Sequence, residues 1–471
     1  MTLTLTQLIL IQSLLCIGAW LILFRRKGLP IGIQLLAVCS FLTTPLALLV
    51  KGTQSAIYAS DLLLPFLLAS LLFQSRPQRP LQSPLVLTMV FSLVLLPLLL
   101  TPFHVFSSGG DVSLGGRNAK GDLIWMYRNL TYLCIFSLAW ASQLTRSQFL
   151  SFVELQIGLG GILAGIGLLH YFGPVNLAVF EQLTWKEWVE EGYQITHIGL
   201  GFMGLFRASV GQWFSTLFLL IAGTWSLLSP RWRTGGLSLL ILSSGMILLS
   251  HSRAGFVGLT VGVLMLSLLG QGLHHRLIAG IAVIMLIGWI GVQGDLFTDR
   301  IGSIVNGTQH ATDRVKGWER GFGFLTDHLD ALMLGIGPAN RQGVAAITGS
   351  FGAHNEYLDV IFRLGLFGLV GLLIMLALFL SATFGLRRRL DSQGKTIATT
   401  MGIIVIANAT MGITQEHFLH DYASHTMGIY LYLLYGVGLG TLRTKETPHE
   451  PIETSSEEKG VDTFRHLTVT S

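Results

Sequence analysis

Charge is scarce in this sequence. Lysine, arginine, aspartate and glutamate make up 12% of its 471 residues, about half the share of an ordinary soluble protein. A water-facing globular surface of the usual kind is thereby excluded. Cysteine is scarcer still. Cys16, Cys39 and Cys134 are the full complement and none forms a CxxC pair, which argues against a disulfide framework or a thiolate metal site and for burial inside apolar runs. No internal repeat of fixed period is visible, and the apolar stretches lack the strict alternation of a transmembrane barrel.

What the chain has in abundance is hydrophobic residues, at 51%. They fall in continuous runs, each near the roughly 20 residues that cross a hydrocarbon core as a helix. The runs include Gln7 to Phe24, Ile31 to Val50, Ile57 to Phe73, Leu277 to Val292, Tyr357 to Phe384 and Met427 to Leu442. A helix satisfies its own backbone hydrogen bonds in lipid. The expected fold is therefore all-α and polytopic, with about 12 to 13 transmembrane helices. The first run is followed by Arg25, Arg26 and Lys27 rather than a small-residue cleavage site, so it reads as a retained helix.

Threading the spans in order puts Arg76, Arg79, Arg146, Arg231, Arg233, Arg276, Arg387, Arg388, Arg389 and Lys395 on one side. By the positive-inside rule that side is the cytoplasm. The amino terminus then faces outward and the polar tail, 443–471, inward; its Glu, Thr and Ser content reads as disordered. Most of the net charge of +5 is explained by this topology, so it makes no case for nucleic acid as a partner.

Two outward segments are long enough to carry function. One, Gly173 to about Gln212, contains "FEQLTWKEWVEEGYQITH", whose Trp and Tyr among charges fit a helix on the membrane surface. The other, Gln293 to Ala353, is polar, Gly-rich and far longer than an ordinary connection.

Arginines gather on that outward side against the usual bias: Arg207, Arg253, Arg314, Arg320 and Arg341. A guanidinium holds phosphate through paired hydrogen bonds and stays charged in apolar surroundings, so converging arginines point to a phosphate-bearing ligand. For any one of them, snorkelling to headgroups is the plain alternative. Arg128, inside a span, reads as structural. His354 opens the run after the long loop, where an imidazole can take a proton from a group arriving from outside. Capping the next helix or bonding within the loop is its plain alternative.

The order "SHSRAGFVGL", "DRVKGWERGFGFL", "LGIGPANR", "AHNEYLDVIFRLGLFGLVGLL", preceded by "LFRASVGQWFSTLFLL", resembles the O-antigen ligase and polymerase superfamily of bacterial membrane glycosyltransferases. The likeness covers Gly204 to about Leu373, whereas the earlier spans match in hydrophobicity alone. It implies about twelve helices with a large periplasmic loop over a cavity, and transfer of a glycan from undecaprenyl diphosphate to an acceptor glycolipid or saccharide with neither metal nor other cofactor. The family's loop histidine falls on His354 as the catalytic residue, and its diphosphate-binding arginines on Arg207 and Arg253. Arg314 and Arg320 match basic loop positions, and with Asn355 and Glu356 are candidate substrate contacts. Gln212 and Trp213 depart from a proline-asparagine pair common in relatives. On this reading 1–172 are amino-terminal membrane helices, and 173–442 form the catalytic region, including the external loop 293–353. The protein is expected in the bacterial inner membrane, its site facing the periplasm.

Some readings stay open. Ligase and polymerase share these motifs, and a transporter would also use many spans, although the distinctive residues gather at one face rather than mid-membrane. "QEHFLHDYASH" spaces His417, Asp421 and His425 by fours, with His420 beside them; that spacing could hold zinc, but lining the outer cavity suits it better.

Overall fold

The computed structural model describes residues 29–41, 47–48, 56–57, 83–100, 119–172, 207–250, 252–270, 280, 309–338, 340–349, 353–415, 417–418 and 425–444. Within these the chain is an all-α polytopic membrane protein. Its helices are α1 (Leu29–Phe41), α2 (Pro84–Leu100), α3 (Ala119–Ala141), α4 (Arg146–Tyr171), α5 (Arg207–Thr224), α6 (Pro230–Leu249) and α7 (Arg253–Leu269). There follow α8 (Gln309–Asp327), α9 (Leu329–Leu334), α10 (Arg341–Thr348), α11 (Glu356–Arg387), α12 (Ser392–Met411) and α13 (His425–Arg443).

Four helical stretches among the described residues are long and apolar enough to cross a membrane by length and composition: Arg146–Leu169, Ser209–Leu227, Pro230–Leu249 and Glu356–Arg387. Pro84–Leu100 and Arg253–Leu269 are shorter apolar helices. The expected span from Ile31 to Val50 is cut short. The helical part described is Leu29–Phe41, and 42–46 lie outside the described residues. Ala47–Leu48 instead pairs antiparallel with Ala56–Ile57. The expected runs Gln7 to Phe24, Ile57 to Phe73 and Leu277 to Val292 lie outside the described residues apart from Ile57 and Gly280.

Side-chain bonds show which helix ends lie together. Arg146, opening α4, pairs with Asp391, the N-cap of α12. Thr444 donates to the carbonyls of Gln143 and Leu144 at 3.2 Å, and Arg387 to that of Leu269 at 3.4 Å. Gly223, Leu269, Gly270 and Lys395 line one cleft. This end of the bundle therefore collects Arg146, Arg387 and Lys395. The starts of α5, α7 and α11 lie at the opposite end.

Between the ends the core is aromatic and polar by turns. Trp213, Tyr430, Tyr432, Tyr435 and Phe136 are fully buried, and the rings of Tyr132 and Tyr432 stack at 5.3 Å. Asn408 of α12 donates to Thr216 of α5 at 3.2 Å. A polar link of this sort joins helices in lipid, where neighbouring apolar surfaces gain little from each other.

Helices α5 and α7 approach each other closely. A Cβ on Gly255 would fall 2.6 Å from the backbone carbon and oxygen of Gly211, and one on Gly211 would fall 2.2 Å from Cβ of Ser252. Only glycine lets the backbones meet there. The Ser215 hydroxyl lies 2.7 Å from the carbonyl oxygens of both Gly211 and Gly255, a hydrogen-bond clasp across the contact.

Gly255→Ala, whose methyl meets rigid backbone, is expected to destabilise the protein by about 1 to 3 kcal/mol. Gly161→Ala, with nothing within 4 Å, should leave stability unchanged or raise it by up to about 1 kcal/mol. Thermal melting of both variants in detergent checks the contrast; equal melting points would count against the tight contact.

Candidate active site

Three helices begin at the end of the bundle opposite Arg146 and Lys395, and each begins next to a residue with chemistry to offer. Arg207 opens α5 and Arg253 opens α7. Arg253 is exposed, while the side chain of Arg207 lies outside the described residues. Ser252 caps α7, its hydroxyl accepting from the Gly255 N–H at 3.1 Å. The Gly211–Gly255 contact lies within a turn or so of both arginines, so it fixes the two helix starts against each other.

The third start follows His354. Asn355 caps α11 by accepting from the N–H groups of Tyr357 and Leu358 at 3.0 and 3.1 Å. On the other side of His354, the carbonyl of Ala353 accepts from the indole of Trp318 at 2.9 Å. Held from both sides, His354 has φ +48°. That is the left-handed region, uncommon for a residue other than glycine, and such strain tends to be kept where geometry matters. The imidazole is partly exposed.

A buried carboxylate joins this turn to the arginine-bearing helices. Glu356, 1% exposed, accepts through one oxygen from the backbone N–H of His417 and, at 3.1 Å, from that of Phe418. Its own N–H donates to the Gly412 carbonyl at 2.7 Å. The ring of His417 lies against α5, with Nδ1 3.1 Å from Nε2 of Gln212. From Arg253 to His354 the connection thus runs through Ser252, Gly211, Gln212, His417 and Glu356. Tyr357 adds a bond from α11 to α12, its hydroxyl donating to the Ala409 carbonyl at 2.6 Å.

The long loop folds over this corner as α8, α9 and α10. Helix α8 turns Gly317 and Gly321 inward: a Cβ on Gly317 would meet the Thr348 carbonyl at 2.7 Å, and one on Gly321 the Phe362 ring at 2.3 Å. Leu325, Ile336, Val344 and Phe362 form a small core between loop and α11. Arg320 is engaged in this architecture, donating to the Thr348 carbonyl at 2.9 Å at the end of α10. The side chains of Arg314 and Arg341 lie outside the described residues. The segment from Leu334 to Gly337 runs against Phe362 to Gly365, with Ile336 N–H donating to the Phe362 carbonyl at 2.7 Å.

Gln212, Asp359 and Arg363 were given no role in the site from sequence. Gln212 and Glu356 meet His417 across 205 and 61 residues, a separation that leaves no local trace. Asp359 and Arg363 form a buried ion pair at 2.7 Å, and an Nη of Arg363 reaches the Pro338 carbonyl at 3.4 Å. That pair had a signal, its i,i+4 spacing. His417, read earlier within a zinc-like spacing, is fully buried between Gln212 and Glu356; Asp421, His420 and the side chain of His425 lie outside the described residues. Arg128 is buried in α3, its guanidinium 5.3 Å from the Tyr127 ring.

Burial holds the His417 imidazole down to about pH 4 before it protonates, against the opposing pull of nearby carbonyls. Its ring is therefore neutral at physiological pH. In the unfolded chain the same group protonates near 6.5. The contribution is thus complete above about pH 6.5 and lost progressively as pH falls toward about 4. His417→Gln should flatten this part of the melting-temperature profile; an unchanged slope would show that His417 is not a neutral, buried group. Glu356→Ala, which strands two buried N–H groups, should cost about 1 to 3 kcal/mol in the same melting assay.

Residues 237–373 match a family model described as O-Antigen ligase. The match takes in most of α6, all of α7 to α10 and the first half of α11, hence Arg253, Arg314, Arg320, His354, Asn355 and Glu356; Arg207, Gln212 and His417 fall outside it. No curated protein matches the chain.

Proposed function

We propose that this multi-pass protein, whose residues 237–373 match the O-antigen ligase family model, transfers a glycan from undecaprenyl diphosphate to an acceptor sugar at the periplasmic face of the bacterial inner membrane, as a ligase. The observation that carries the proposal is the linkage at one end of the bundle of Arg207, Arg253 and His354, residues far apart in sequence. Two arginines at helix starts combine a fixed charge with the positive end of a helix dipole, a combination suited to a diphosphate. The basic opposite end, with Arg387 to Arg389 and Lys395, supports assigning the site to the outer side.

In the proposed reaction His354 accepts the proton of an acceptor hydroxyl as its oxygen attacks the anomeric carbon. The bond from that carbon to the diphosphate oxygen breaks, and its electron pair leaves with the lipid diphosphate. Arg207 and Arg253 stabilise the charge that develops there, the work a divalent metal performs in many other glycosyltransferases. Attack opposite the leaving group inverts the anomeric configuration. Asn355 and Glu356 hold the His354 turn, and Arg320 holds the loop above it; direct sugar contacts from these three and from Arg314 form part of the same proposal.

The test is the surface-glycan ladder of a strain lacking the protein, complemented with wild type or His354→Ala. A ligase leaves long chains stranded on the lipid carrier in the deletion strain, and His354→Ala, slower by about 10² to 10⁴, should fail to restore transfer. A core carrying a single repeat would instead identify a polymerase using the same site. Full restoration by a folded His354→Ala protein would remove His354 from the mechanism.

A further inference from the structure

Only part of helix α11 lies in the bilayer. The helix is interrupted at Gly365, and the stretch beyond it, Leu366 to Arg387, rises about 33 Å, close to a hydrocarbon core of about 30 Å. The placement of charge shows which part lies in lipid. Glu356, Asp359 and Arg363 occupy its first turns, and no charged residue follows until Arg387. From Arg363 to Arg387 the rise is roughly 35 Å, close to one hydrocarbon thickness. The boundary on the loop side therefore falls near Gly365, where the helix also breaks, with φ +68° and ψ −167°.

Helix α9 reaches that level. A Cβ on Gly365 would fall 2.1 Å from the Met333 carbonyl oxygen, so the end of α9 touches α11 at the boundary itself. From there the chain turns away from the membrane: a Cβ on Gly335 would meet the Arg363 carbonyl at 2.3 Å, and Gly337 N–H donates to that carbonyl at 3.2 Å. Among the described residues of the loop, Met333 is thus at the low point, with Leu329 one turn earlier.

Both are apolar and open. Leu329 is 67% and Met333 40% exposed, while Ala331, half a helical turn round from them, is buried. The exposed apolar surface of α11 begins just beyond Gly365, at Phe367, and continues through Val370 and Ile374. Water would meet Leu329 and Met333 at a cost of apolar area left uncovered, whereas the headgroup and upper acyl region lies at their height.

We propose that α9 is an interfacial anchor, inserting Leu329 and Met333 into the bilayer surface beside α11 and so fixing the long loop at membrane level. The occupant of this surface is lipid. The inference does not depend on the reaction assigned to His354, and either could fail without the other. In the superfamily reading, it keeps the loop beside a substrate that arrives in the membrane.

The native full-length protein, reconstituted in phosphatidylcholine liposomes carrying a diazirine on the upper acyl chain, provides the test without any substitution. After irradiation, adducts mapped by mass spectrometry are expected on Leu329 and Met333 in yield of the same order as on Phe367 to Ile374, which serve as the internal lipid-facing reference. Adducts on Phe367 to Ile374 with none on α9, or α9 labelling by a water-soluble diazirine alone, would overturn the proposal and leave the patch to water or to a protein partner.

Discussion

The contact of two backbones at Gly211 and Gly255 sets the distance on which the candidate site depends. Helices whose side chains fill the space between them pack 8 to 10 Å apart; a Cβ at Gly255 would intrude to 2.6 Å from Gly211, so these two are closer than side chains permit. The Ser215 hydroxyl clasps both carbonyls, and Ser252, packed against Gly211, also caps α7. A shift of either helix would separate the starts from which Arg207 and Arg253 extend. The site is in this sense a consequence of close helix packing rather than of loop geometry.

The second constraint is a carboxylate that must not be left alone. Glu356 is buried, and a buried charge is tolerated only when hydrogen-bonded. Its partners are the backbone N–H groups of His417 and Phe418, so the connection between α12 and α13 is pinned to the turn that carries His354. His417 in turn meets Gln212 of α5. Gln212 is where the sequence departs from the proline-asparagine pair of many relatives; its side chain here supplies an amide to the histidine, a bond no proline could make.

Much of the architecture could be read from the chain before its structure, because continuous apolar runs leave a membrane helix few alternatives. The runs behind α11 and α13 were legible on that ground. Less legible was where an apolar run stops being helix: Ala47–Leu48, inside the expected span Ile31 to Val50, pairs as a strand with Ala56–Ile57, a signal drowned by the surrounding hydrophobicity. The long loop read as polar and glycine-rich, yet Gly317 and Gly321 lie on the inward face of a helix, against the Thr348 carbonyl and the Phe362 ring, partners too far along the chain to leave a local mark. His354 stood out by residue type and motif. Its left-handed backbone and the Trp318 bond beneath it did not, since both arise from contacts across the loop.

The central claim is a division of labour, with arginines that hold the departing diphosphate and a histidine that takes the proton. Purified protein in liposomes, given an undecaprenyl-diphosphate glycan and its acceptor, allows donor affinity and single-turnover transfer to be measured separately for His354→Ala and Arg253→Ala. The account predicts that the histidine variant binds donor normally and transfers little, while the arginine variant loses donor affinity as well. Normal single-turnover transfer by His354→Ala, or unchanged donor affinity and transfer in Arg253→Ala, would contradict it.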